Sequence, residues 1–443
     1  MKEHKEIGVG IVGCGTVGGA TARTLLRQRQ HLAERIGVEP ALRAIVDVNF
    51  DNARRLGLDE KLFTQDLQSV LARPDVQIVV ELIGGTSIAR DVVAGALAAG
   101  KCVVTANKAL LAQHGPELWG LARRHGVCIG FEASCAGAIP IIAALTGELA
   151  ADRVEALYGI VNGTCNFILT AMTEHNQSYA QALAVAQQQG LAEADPALDV
   201  SGADSSHKLA ILASLAFARR VDVSKIYVEG IDRLQLHDIR YGRELGYVVK
   251  LLAIARQQEE GLSLRVHPAF ISQRHPLAWV SGPFNAVSVY ADNSGHTMYY
   301  GRGAGGRPTS AAVVSDIAAV ALGNSQRLFH SLGIWPDQCP PAEQLGIEAI
   351  RCRYYLRMQV EDSPGVLARI ARVLGDRDIS ISSVLQHEPT AGDGRAGVPL
   401  VITTHRALEG GIRSALQDVE QLPTTKAPCV CIRMVEECPE RLE

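Results

Sequence analysis

The first third of the chain alternates short apolar runs with amphipathic segments. Residues 7–12 read IGVGIV, a continuous apolar run typical of a strand buried on both faces of a parallel sheet. Similar runs follow helix-like segments at 44–48, 78–83, 103–105 and 127–131. Strands that alternate with helices in this way indicate an α/β fold with a doubly wound, Rossmann-type parallel sheet. We assign this first domain to residues 1–140.

The pattern changes beyond residue 150. Strand-like segments at 153–161, 263–268 and 285–290 bracket long helical segments at 167–175, 179–189 and 206–217. This order favours a second, α+β domain over residues 141–305. The Ala- and Val-rich segment 309–322 predicts a helix capped by Thr309 or Ser310. We expect residues 306–335 to return to the first domain.

A proline-rich segment precedes a third domain. Prolines disfavour both helix and sheet, and three of them within residues 336–341 predict a linker over 336–350. Polar and apolar residues then alternate over 353–360, as in a half-buried strand, and an amphipathic helix follows the turn at 362–365. Strands near 379–384, 400–404 and 429–435 complete a β-α-β-β-α-β order. Residues 351–443 are therefore predicted to be ferredoxin-like.

Charge and composition argue against several classes of function. The 443 residues carry 43 Lys and Arg against 47 Asp and Glu, and like charges are not concentrated, so we expect no nucleic-acid or polybasic membrane surface. The sequence has no signal-like apolar segment near its start and no apolar run of about 18 residues. Its ten cysteines follow neither a disulfide nor a zinc spacing. We expect a soluble, reduced, cytoplasmic protein.

A glycine-rich turn links the first predicted strand to the following helix. It reads GCGTVG over residues 13–18, the Gly-x-Gly-x-x-Gly pattern in its proper strand-to-helix context. The first glycine permits the turn, the second lets a pyrophosphate approach the backbone, and the third allows close helix packing. The pattern predicts a dinucleotide site, the alternative being a turn that serves packing alone. The candidate residues are Gly13, Gly15, Thr16, Val17 and Gly18.

Asp47 ends the second predicted strand and is the candidate for the adenosine ribose. A carboxylate there accepts a hydrogen bond from the 2′-hydroxyl group and repels a 2′-phosphate, which favours NAD over NADP. Arg54 and Arg55 follow closely and could bind that phosphate instead. Both coenzymes therefore stay open, and a solvated strand end is the alternative interpretation of Asp47.

Several stretches resemble the homoserine dehydrogenase family, and the likeness spans residues 7–335. They read VVTANKAL (103–110), FEASCAGAIP (131–140), VNGTCNFIL (161–169), GLAEADPALD (190–199), GADSSHKL (202–209) and GRGAGGRPTS (301–310). Residues 360–374, VEDSPGVLARIARVL, resemble an ACT regulatory module, which many proteins share. The resemblance implies an NAD(P)-dependent oxidoreductase of threonine and methionine biosynthesis that interconverts L-homoserine and L-aspartate 4-semialdehyde.

Two lysines and an aspartate acquire roles through this resemblance. By itself, Lys108 after a strand end would be a solvated surface cation. Asp204 and Lys208, four residues apart, would be an ordinary ion pair on a helix surface. The resemblance implies instead that Lys208 transfers the proton of the substrate hydroxyl and that Asp204 orients Lys208. Lys108 would stabilise charge on the same oxygen, beside the cofactor.

A cluster of carboxylates surrounds the second of these motifs, between residues 193 and 204. Acidic loops are ordinarily solvated, and we expect Asp195 to serve as a loop cap. The resemblance assigns three other carboxylates to the substrate ammonium group, together with contacts from an Asn-Gly-Thr segment. The substrate-binding candidates are Glu193, Asp199, Asp204, Gly163 and Thr164.

Residues 132–139 resemble a segment that binds a monovalent cation, Na⁺ or K⁺, in this family. The implied oxygen ligands are Glu132, through its side chain or backbone, and the carbonyl groups of Cys135, Gly137 and Ile139. Ala138 stands where the family often has glycine, so a positive φ would be costly there.

Further glycines are candidates for the nicotinamide half of the cofactor. The resemblance assigns this role to Gly303, within a glycine-rich loop that could close over the ligand, and more weakly to Gly190. A plain interdomain hinge is the alternative for the loop.

Two aspects of function stay open at this stage. The ACT-like module could bind threonine as an inhibitor at a dimer interface, or could serve only oligomerisation, and we expect a homodimer or homotetramer. An oxidoreductase for another small amino acid is a second candidate function. A non-catalytic sensor that binds nucleotide and amino acid is a third.

Overall fold

The computed structural model describes residues 5–387 and 397–436. The chain divides into two compact units, each assembled from three segments. The first comprises Met1–Gly163, Asp204–Ser224 and Pro283–Ala342, and the second comprises Thr164–Ala203, Lys225–Gly282 and Glu343–Glu443. Residues 141–305, predicted as one domain, contribute to both units.

The elements alternate along the first part of the chain as predicted. The helices are α1 Thr16–Ile36, α2 Asp51–Arg55, α3 Leu67–Ala72, α4 Ser87–Ala98, α5 Lys108–Arg124, α6 Ile141–Thr146, α7 Gly163–His175, α8 Tyr179–Gln188, α9 Ala197–Val200, α10 Ala203–Phe217, α11 Leu236–Glu244, α12 Gly306–Ala321, α13 Asn324–Ser331, α14 Val366–Gly375 and α15 Glu409–Glu420. Short 3₁₀ helices occur at Glu60–Leu62, Glu132–Ser134, Val223–Lys225, Pro276–Trp279 and Ile347–Ala349.

The strands are β1 Lys5–Val12, β2 Val38–Val46, β3 Phe63–Thr64, β4 Ile78–Glu81, β5 Cys102–Thr105, β6 Ile129–Gly130, β7 Val154–Ile160, β8 Tyr227–Val228, β9 Tyr247–Gln258, β10 Gly261–Ser272, β11 Phe284–Ala291, β12 Gly295–Arg302, β13 Arg351–Val360, β14 Ile381–Leu385, β15 Val398–Thr404, β16 Ala407–Leu408 and β17 Thr425–Val435.

A six-stranded parallel sheet forms the centre of the first unit. Its order is β3-β2-β1-β4-β5-β6, and its paired strands run parallel. The order reverses between β1 and β4, and in such sheets ligands bind beyond the carboxyl ends of the strands at that switch point. The predicted doubly wound sheet is confirmed. A separate antiparallel ribbon of β7, β11 and β12 also belongs to this unit.

Helix α12 packs against α1 and against strands β2, β5 and β6. The sequence-based prediction of its cap is wrong: the helix begins at Gly306, and Gly305 is its N-cap with φ 118°. Glycine adopts this φ without strain and lets the chain enter the helix before Thr309. Ser310 lies inside the first turns, where its hydroxyl donates to the carbonyl of Arg307 at 2.9 Å.

The second unit contains a mixed sheet in the order β9-β10-β17-β13-β15-β14. Strands β13, β14, β15 and β17 with helices α14 and α15 have the predicted ferredoxin-like β-α-β-β-α-β order. The inward residues of β13, among them Tyr354, Leu356 and Met358, pack with Ile370 of α14 and Ile412 of α15 in one apolar core. Alternate residues of β13 therefore face these helices, as their period of two requires.

The opposite face of β13 contacts α11 through a buried carboxylate. Asp238 is fully buried and accepts hydrogen bonds from Tyr355 Oη at 2.9 Å and from Arg357 Nε at 2.6 Å. A buried ion pair of this kind is retained only when its charges are mutually satisfied. The ferredoxin-like module is thus joined to α11 by polar side chains and to β10 by the pairing of that strand with β17.

The proline-rich segment after α13 is packed, although it lacks regular structure. Trp335 is buried, and its ring lies 5.2 Å from that of Phe329. Asp337 pairs with Arg123 of α5 at 2.8 Å. The prolines prevent helix and strand formation, but residues 335–337 are held to the first unit. Among the described residues, no helix has the length and apolar character needed to cross a membrane.

Candidate functional site

The turn between β1 and α1 requires glycine at two positions. Gly13 has φ 94°, and a Cβ there would lie 2.7 Å from the carbonyl oxygen of Leu82. A Cβ at Gly18 would lie 1.9 Å from the carbonyl oxygen of Gly13, so the helix can approach the strand only without a side chain. Gly15, the N-cap of α1, faces open space instead. This arrangement leaves room for a phosphate at the helix N-terminus, next to Thr16 and Val17.

Asp47 lies directly beyond β2, beside this turn. Its Oδ2 atom accepts a hydrogen bond from Cys14 N at 2.5 Å and its Oδ1 atom accepts one from Val48 N at 2.7 Å. A cavity of about 470 Å³ opens here, lined by Cys14, Gly15, Asp47, Asn49, Asp51, Asn52 and Arg55. The open glycine, the helix N-terminus and this carboxylate together fit the adenosine and pyrophosphate parts of a dinucleotide.

The two arginines near Asp47 differ in position. Arg55 lines the cavity and donates to Asn52 Oδ1 at 2.7 Å. Arg54 is directed to Glu60, with Nε 3.1 Å from Oε1. Of the two, only Arg55 is therefore available at the cavity for a ribose phosphate.

Helix α10 carries the predicted Asp204 and Lys208 one turn apart, and both side chains are buried. Lys208 Nζ lies 2.6 Å from Asp204 Oδ2 and 2.6 Å from the carbonyl oxygen of Val161, which follows β7. Two of the three lysine N–H donors are thereby used. The pair is an enclosed, oriented ammonium group rather than the solvated helix-surface pair that the spacing alone allows.

Lys108 is the first residue of α5, and its Nζ lies 3.2 Å from Asp204 Oδ1. Its side chain is 40% exposed, whereas that of Lys208 is 10% exposed. Asn162 Nδ2 donates to Asp204 Oδ2 at 2.9 Å. The structure therefore gathers two ammonium groups of different accessibility around one carboxylate, which suits a reaction that develops negative charge on an oxygen.

Burial by itself raises the pKa of Asp204. The charges of Lys208 and Lys108, with hydrogen bonds from Lys208 and Asn162, outweigh burial and lower the pKa of Asp204 below its ordinary value. Burial also lowers the pKa of His207. The negative charge of Asp204 acts to raise this pKa, and the positive charges of Lys108 and Lys208 act to lower it. The site thus holds a firmly ionised carboxylate next to an imidazole that resists protonation.

The remaining acidic candidates belong to the second unit. Asp195 accepts a hydrogen bond from Ala197 N at 3.1 Å, as expected of a loop cap. Glu193 is exposed, and Asp199 lies on the short helix α9, where its carbonyl oxygen is 3.2 Å from Cys165 Sγ. The hydroxyl of Thr164 donates to the carbonyl of Leu191 at 2.7 Å, which leaves its oxygen as an acceptor.

Gly163, the other substrate-binding candidate, belongs to the first unit. This position requires glycine, because a Cβ there would lie 2.8 Å from the carbonyl oxygen of Pro283.

The predicted cation segment has an engaged carboxylate. The two Glu132 oxygens accept hydrogen bonds from Ile142 N and Ala143 N at the start of α6, each at 2.8 Å. Burial raises the pKa of Glu132 to about 7, against the lowering effect of these N–H groups. Asp316, which is partly buried, accepts from Glu132 N at 2.8 Å. The side chain of Glu132 is thus oriented by backbone N–H groups at the start of α6.

The positive backbone angles of this segment fall at Ala136 (φ 55°) and Gly137 (φ 60°), not at Ala138. The expected cost of a positive φ at Ala138 therefore does not arise. A Cβ at Gly137 would lie 2.5 Å from the carbonyl oxygen of Gly303, so this position needs glycine for space as well as conformation. Cys135 and Ile139 are fully enclosed on either side. Among the described residues, no three His, Cys, Asp or Glu side chains cluster to hold a metal.

The two glycines predicted near the nicotinamide differ in setting. Gly303 packs against Asn285, since a Cβ there would lie 2.0 Å from Asn285 Nδ2. Asn285 is fully buried, and neither polar atom of its side chain has a hydrogen-bond partner among the described residues. Gly190 follows α8 with φ 68°, and its N–H donates to the carbonyl of Gln187. The left-handed conformation that ends α8 is by itself a sufficient reason for glycine at position 190, with no contact to a ligand required.

Sequence reasoning missed several polar residues of this region. Asn162 and His207 stand inside the recognised stretches, yet neither carries a spacing signal that distinguishes it from its neighbours. Glu81 is the last residue of β4, and Asn285 is the second residue of β11. A single polar residue near the end of an apolar run is ordinarily interpreted as a strand boundary. Their burial, which only the structure shows, is what distinguishes them from ordinary strand boundaries.

Three family models match consecutive parts of the chain. "Homoserine dehydrogenase, NAD binding domain" matches residues 13–132, "Homoserine dehydrogenase" matches 140–318 and "ACT domain" matches 354–424. A homoserine dehydrogenase of Neisseria gonorrhoeae is 42% identical over 434 residues, which cover 97% of this chain and 99% of that protein.

Solved structures give the same result. A homoserine dehydrogenase of Thiobacillus denitrificans has a TM-score of 0.91 at 42% identity, with 98% of this chain and 100% of that one covered. A hyperthermophilic archaeal homoserine dehydrogenase in complex with NADPH has a TM-score of 0.60 at 26% identity, with 72% and 98% covered.

The depressed pKa of Asp204 predicts an acid-dependent loss of stability. A carboxylate whose pKa is lower in the folded chain than its ordinary 3.8 stabilises the fold above that pH, and the contribution falls as the pH drops below it. We expect the difference in Tm between the wild type and Asp204→Asn to be largest near neutral pH and to shrink below 3.8. The uncharged change Ser214→Ala in the same helix should shift Tm equally at each pH. A constant Asp204→Asn difference would contradict the ionised pair.

Proposed function

Because the chain belongs to the homoserine dehydrogenase family, we propose a residue-level mechanism for the NAD(P)-dependent interconversion of L-homoserine and L-aspartate 4-semialdehyde that it catalyses. The observation that carries it is the enclosed ammonium group of Lys208, held between Asp204 and the Val161 carbonyl. Membership of this family argues against the two alternative functions that the sequence left open, an enzyme for another small amino acid and a non-catalytic sensor.

Lys208 moves the proton. Its third N–H donor, which neither Asp204 nor Val161 uses, is directed to the substrate oxygen. In the reduction, charged Lys208 donates a proton to the aldehyde oxygen, and in the oxidation neutral Lys208 takes the proton of the hydroxyl group. The glycine turn at 13–18 would hold NAD(P), which would supply the hydride in the reduction and accept it in the oxidation.

Lys108 stabilises the negative charge that develops on the same oxygen. Its side chain is the more accessible of the two lysines, so it can reach the substrate and the coenzyme while Asp204 retains it. A fixed positive charge in a partly enclosed site costs no reorganisation when the charge develops. Asp204 itself acts through the lysines, as the residue that positions both.

The amino-acid part of the substrate is assigned to carboxylates. We expect Glu193 and Asp199 to bind the substrate ammonium group and Gly163 and Thr164 to contribute backbone and hydroxyl contacts. The acceptor capacity of Thr164 and the exposure of Glu193 support these assignments. Such contacts select an amino acid over a plain alcohol.

A monovalent cation, Na⁺ or K⁺, belongs to the same proposal. We expect the ligands to be Glu132, through its side chain or backbone, and the main-chain oxygens of Cys135, Gly137 and Ile139; the orientation of the Glu132 carboxylate by the start of α6 supports a preformed segment. Hard cations prefer such oxygen ligands.

Lys208→Ala tests the proton-transfer role. With L-homoserine and the preferred coenzyme, kcat should fall by roughly a hundredfold or more, the usual contribution of general acid–base catalysis, while KM changes far less. The measurement is the absorbance of the reduced coenzyme under initial-rate conditions. The control variant Lys61→Ala removes an exposed lysine that is distant from Lys208 in the sequence, and it should keep wild-type kinetics. A loss confined to KM in Lys208→Ala would reject the role.

The coenzyme preference is proposed to be NAD, on the position of Asp47 at the adenosine cavity. Replacing Asp47 with Ser removes the carboxylate that repels a 2′-phosphate, and Arg55 at the same cavity can then bind it. The ratio of kcat/KM for NAD to that for NADP should fall by roughly tenfold or more, as expected for one charged contact. Asp51→Asn, another carboxylate of the cavity lining, is the control. A wild-type preference for NADP would overturn the proposal.

The ACT module is proposed to bind threonine as a feedback inhibitor. The contacts of Tyr355 and Arg357 with Asp238 provide a physical connection from this module to α11. We expect millimolar L-threonine to raise Tm and lower the rate, whereas L-alanine should do neither. No change of Tm or rate with threonine would leave the module a purely architectural role.

A homodimer or homotetramer in the cytoplasm stays our prediction.

A further inference from the structure

A buried carboxylate outside the proposed mechanism ends strand β4. Glu81 is paired in register with Thr105, the last residue of β5, and both are fully buried. Glu81 Oε2 accepts a hydrogen bond from Thr105 Oγ1 at 2.6 Å, and Oε1 accepts one from Ile83 N at 3.0 Å. Enclosing a carboxyl group without such donors would be costly. The two contacts therefore fix its orientation at the ligand-binding edge of the sheet.

The hydrogen bonds continue from Thr105 into helix α5. Thr105 Oγ1 accepts from Asn107 N at 3.0 Å. Asn107 is the N-cap of α5, where its Oδ1 accepts from Leu110 N at 3.1 Å, and its Nδ2 donates to the carbonyl of Gly85 at 2.7 Å. Lys108 is the next residue. A continuous series of hydrogen bonds thus runs from Glu81 through Thr105 to Asn107, the residue before Lys108.

Lys108 needs an external constraint of this kind. Its side chain is 40% exposed and has several rotatable bonds, yet its Nζ must stay near Asp204 Oδ1, at 3.2 Å here. Small displacements of the backbone are magnified at the end of a long side chain, and misplacement of a group near the reacting atoms lowers the rate. The position of the first turn of α5 is therefore a condition for the charge that Lys108 supplies.

We infer that Glu81 is a positioning residue of this enzyme, which acts through Thr105 and Asn107 to hold Lys108 against Asp204. The inference rests on the role proposed above for Lys108. It requires a carboxylate, because both oxygens of Glu81 accept from fixed donors. A glutamine of the same shape has one acceptor, so its NH₂ group must face either Thr105 or the N–H of Ile83.

Glu81→Gln should lower kcat for L-homoserine roughly tenfold, the scale of one lost hydrogen bond to a charged group, with KM changed less. Thr105 provides a matched pair. Thr105→Val keeps the shape and removes the hydroxyl, and it should reproduce the loss. Thr105→Ser keeps the hydroxyl, and it should retain kcat close to that of the wild type. Equal kcat values for the valine and serine variants would contradict the relay.

A double-substitution cycle separates positioning from general stability. In Lys108→Ala, the addition of Glu81→Gln should change kcat by less than twofold, because the group that Glu81 positions is gone. If the two losses multiply, Glu81 acts independently of Lys108 and the inference fails. If Lys108→Ala alone keeps the wild-type kcat, the proposed role of Lys108 fails first, and the two failures are distinguished.

A crystal structure of Glu81→Gln gives a readout that does not depend on turnover. The inference expects the first turn of α5 to shift and Lys108 Nζ to leave Asp204. Retention of the 3.2 Å contact in a variant with reduced kcat would overturn it. If Glu81→Gln fails to fold, the Thr105→Val structure serves the same comparison, because the hydroxyl is the single connection between Glu81 and Asn107 in this series.

Discussion

The buried carboxylate of Asp204 is the constraint around which the catalytic groups are arranged. A carboxylate in such a place is tolerated only if hydrogen bonds and opposite charges replace water. Lys208, Lys108 and Asn162 supply them, and each comes from a different part of the chain. The start of α10, the start of α5 and the loop after β7 must therefore converge. The same contacts that make Asp204 acceptable place two ammonium groups next to one another.

The parallel sheet carries the candidate coenzyme site of the proposed mechanism. Strands β1, β4 and β5 end at the same edge, so the glycine turn, Glu81 and the Thr105–Lys108 segment all leave the sheet on one side. In folds of this type the edge at the switch point is where ligands bind. In the proposed mechanism the chain thus uses the sheet twice: once to bind a dinucleotide and once to project a lysine from the first turn of α5.

Sequence patterns predicted the architecture well where local signals were strong. The run at 7–12, the glycine turn and the alternation in β13 each predicted a local structure, and the structure agrees with all three. The cap of α12 was predicted wrongly because hydroxyl residues are common caps, whereas Gly305 with its positive φ starts the helix earlier. Asn162 and Glu81 escaped notice because an isolated polar residue at a strand end has no periodic signature. The resemblance supplied the roles of Lys108 and Lys208, which spacing alone did not.

The sequence by itself determined the elements and the family, because hydrophobic periodicity, glycine positions and recognisable motifs are local properties of the chain. It also named the candidate catalytic side chains through the family resemblance of those motifs. Only the tertiary structure decided which of them touch: that Asp204 holds both lysines, that the Glu132 carboxylate is occupied by the start of α6, and that Ala138 needs no positive φ. The Lys108–Asp204 contact joins residues far apart in sequence, whereas the burial of the Asp204–Lys208 pair and the backbone angles at residues 136–138 are local features that depend on the packing around them. A linear pattern encodes neither.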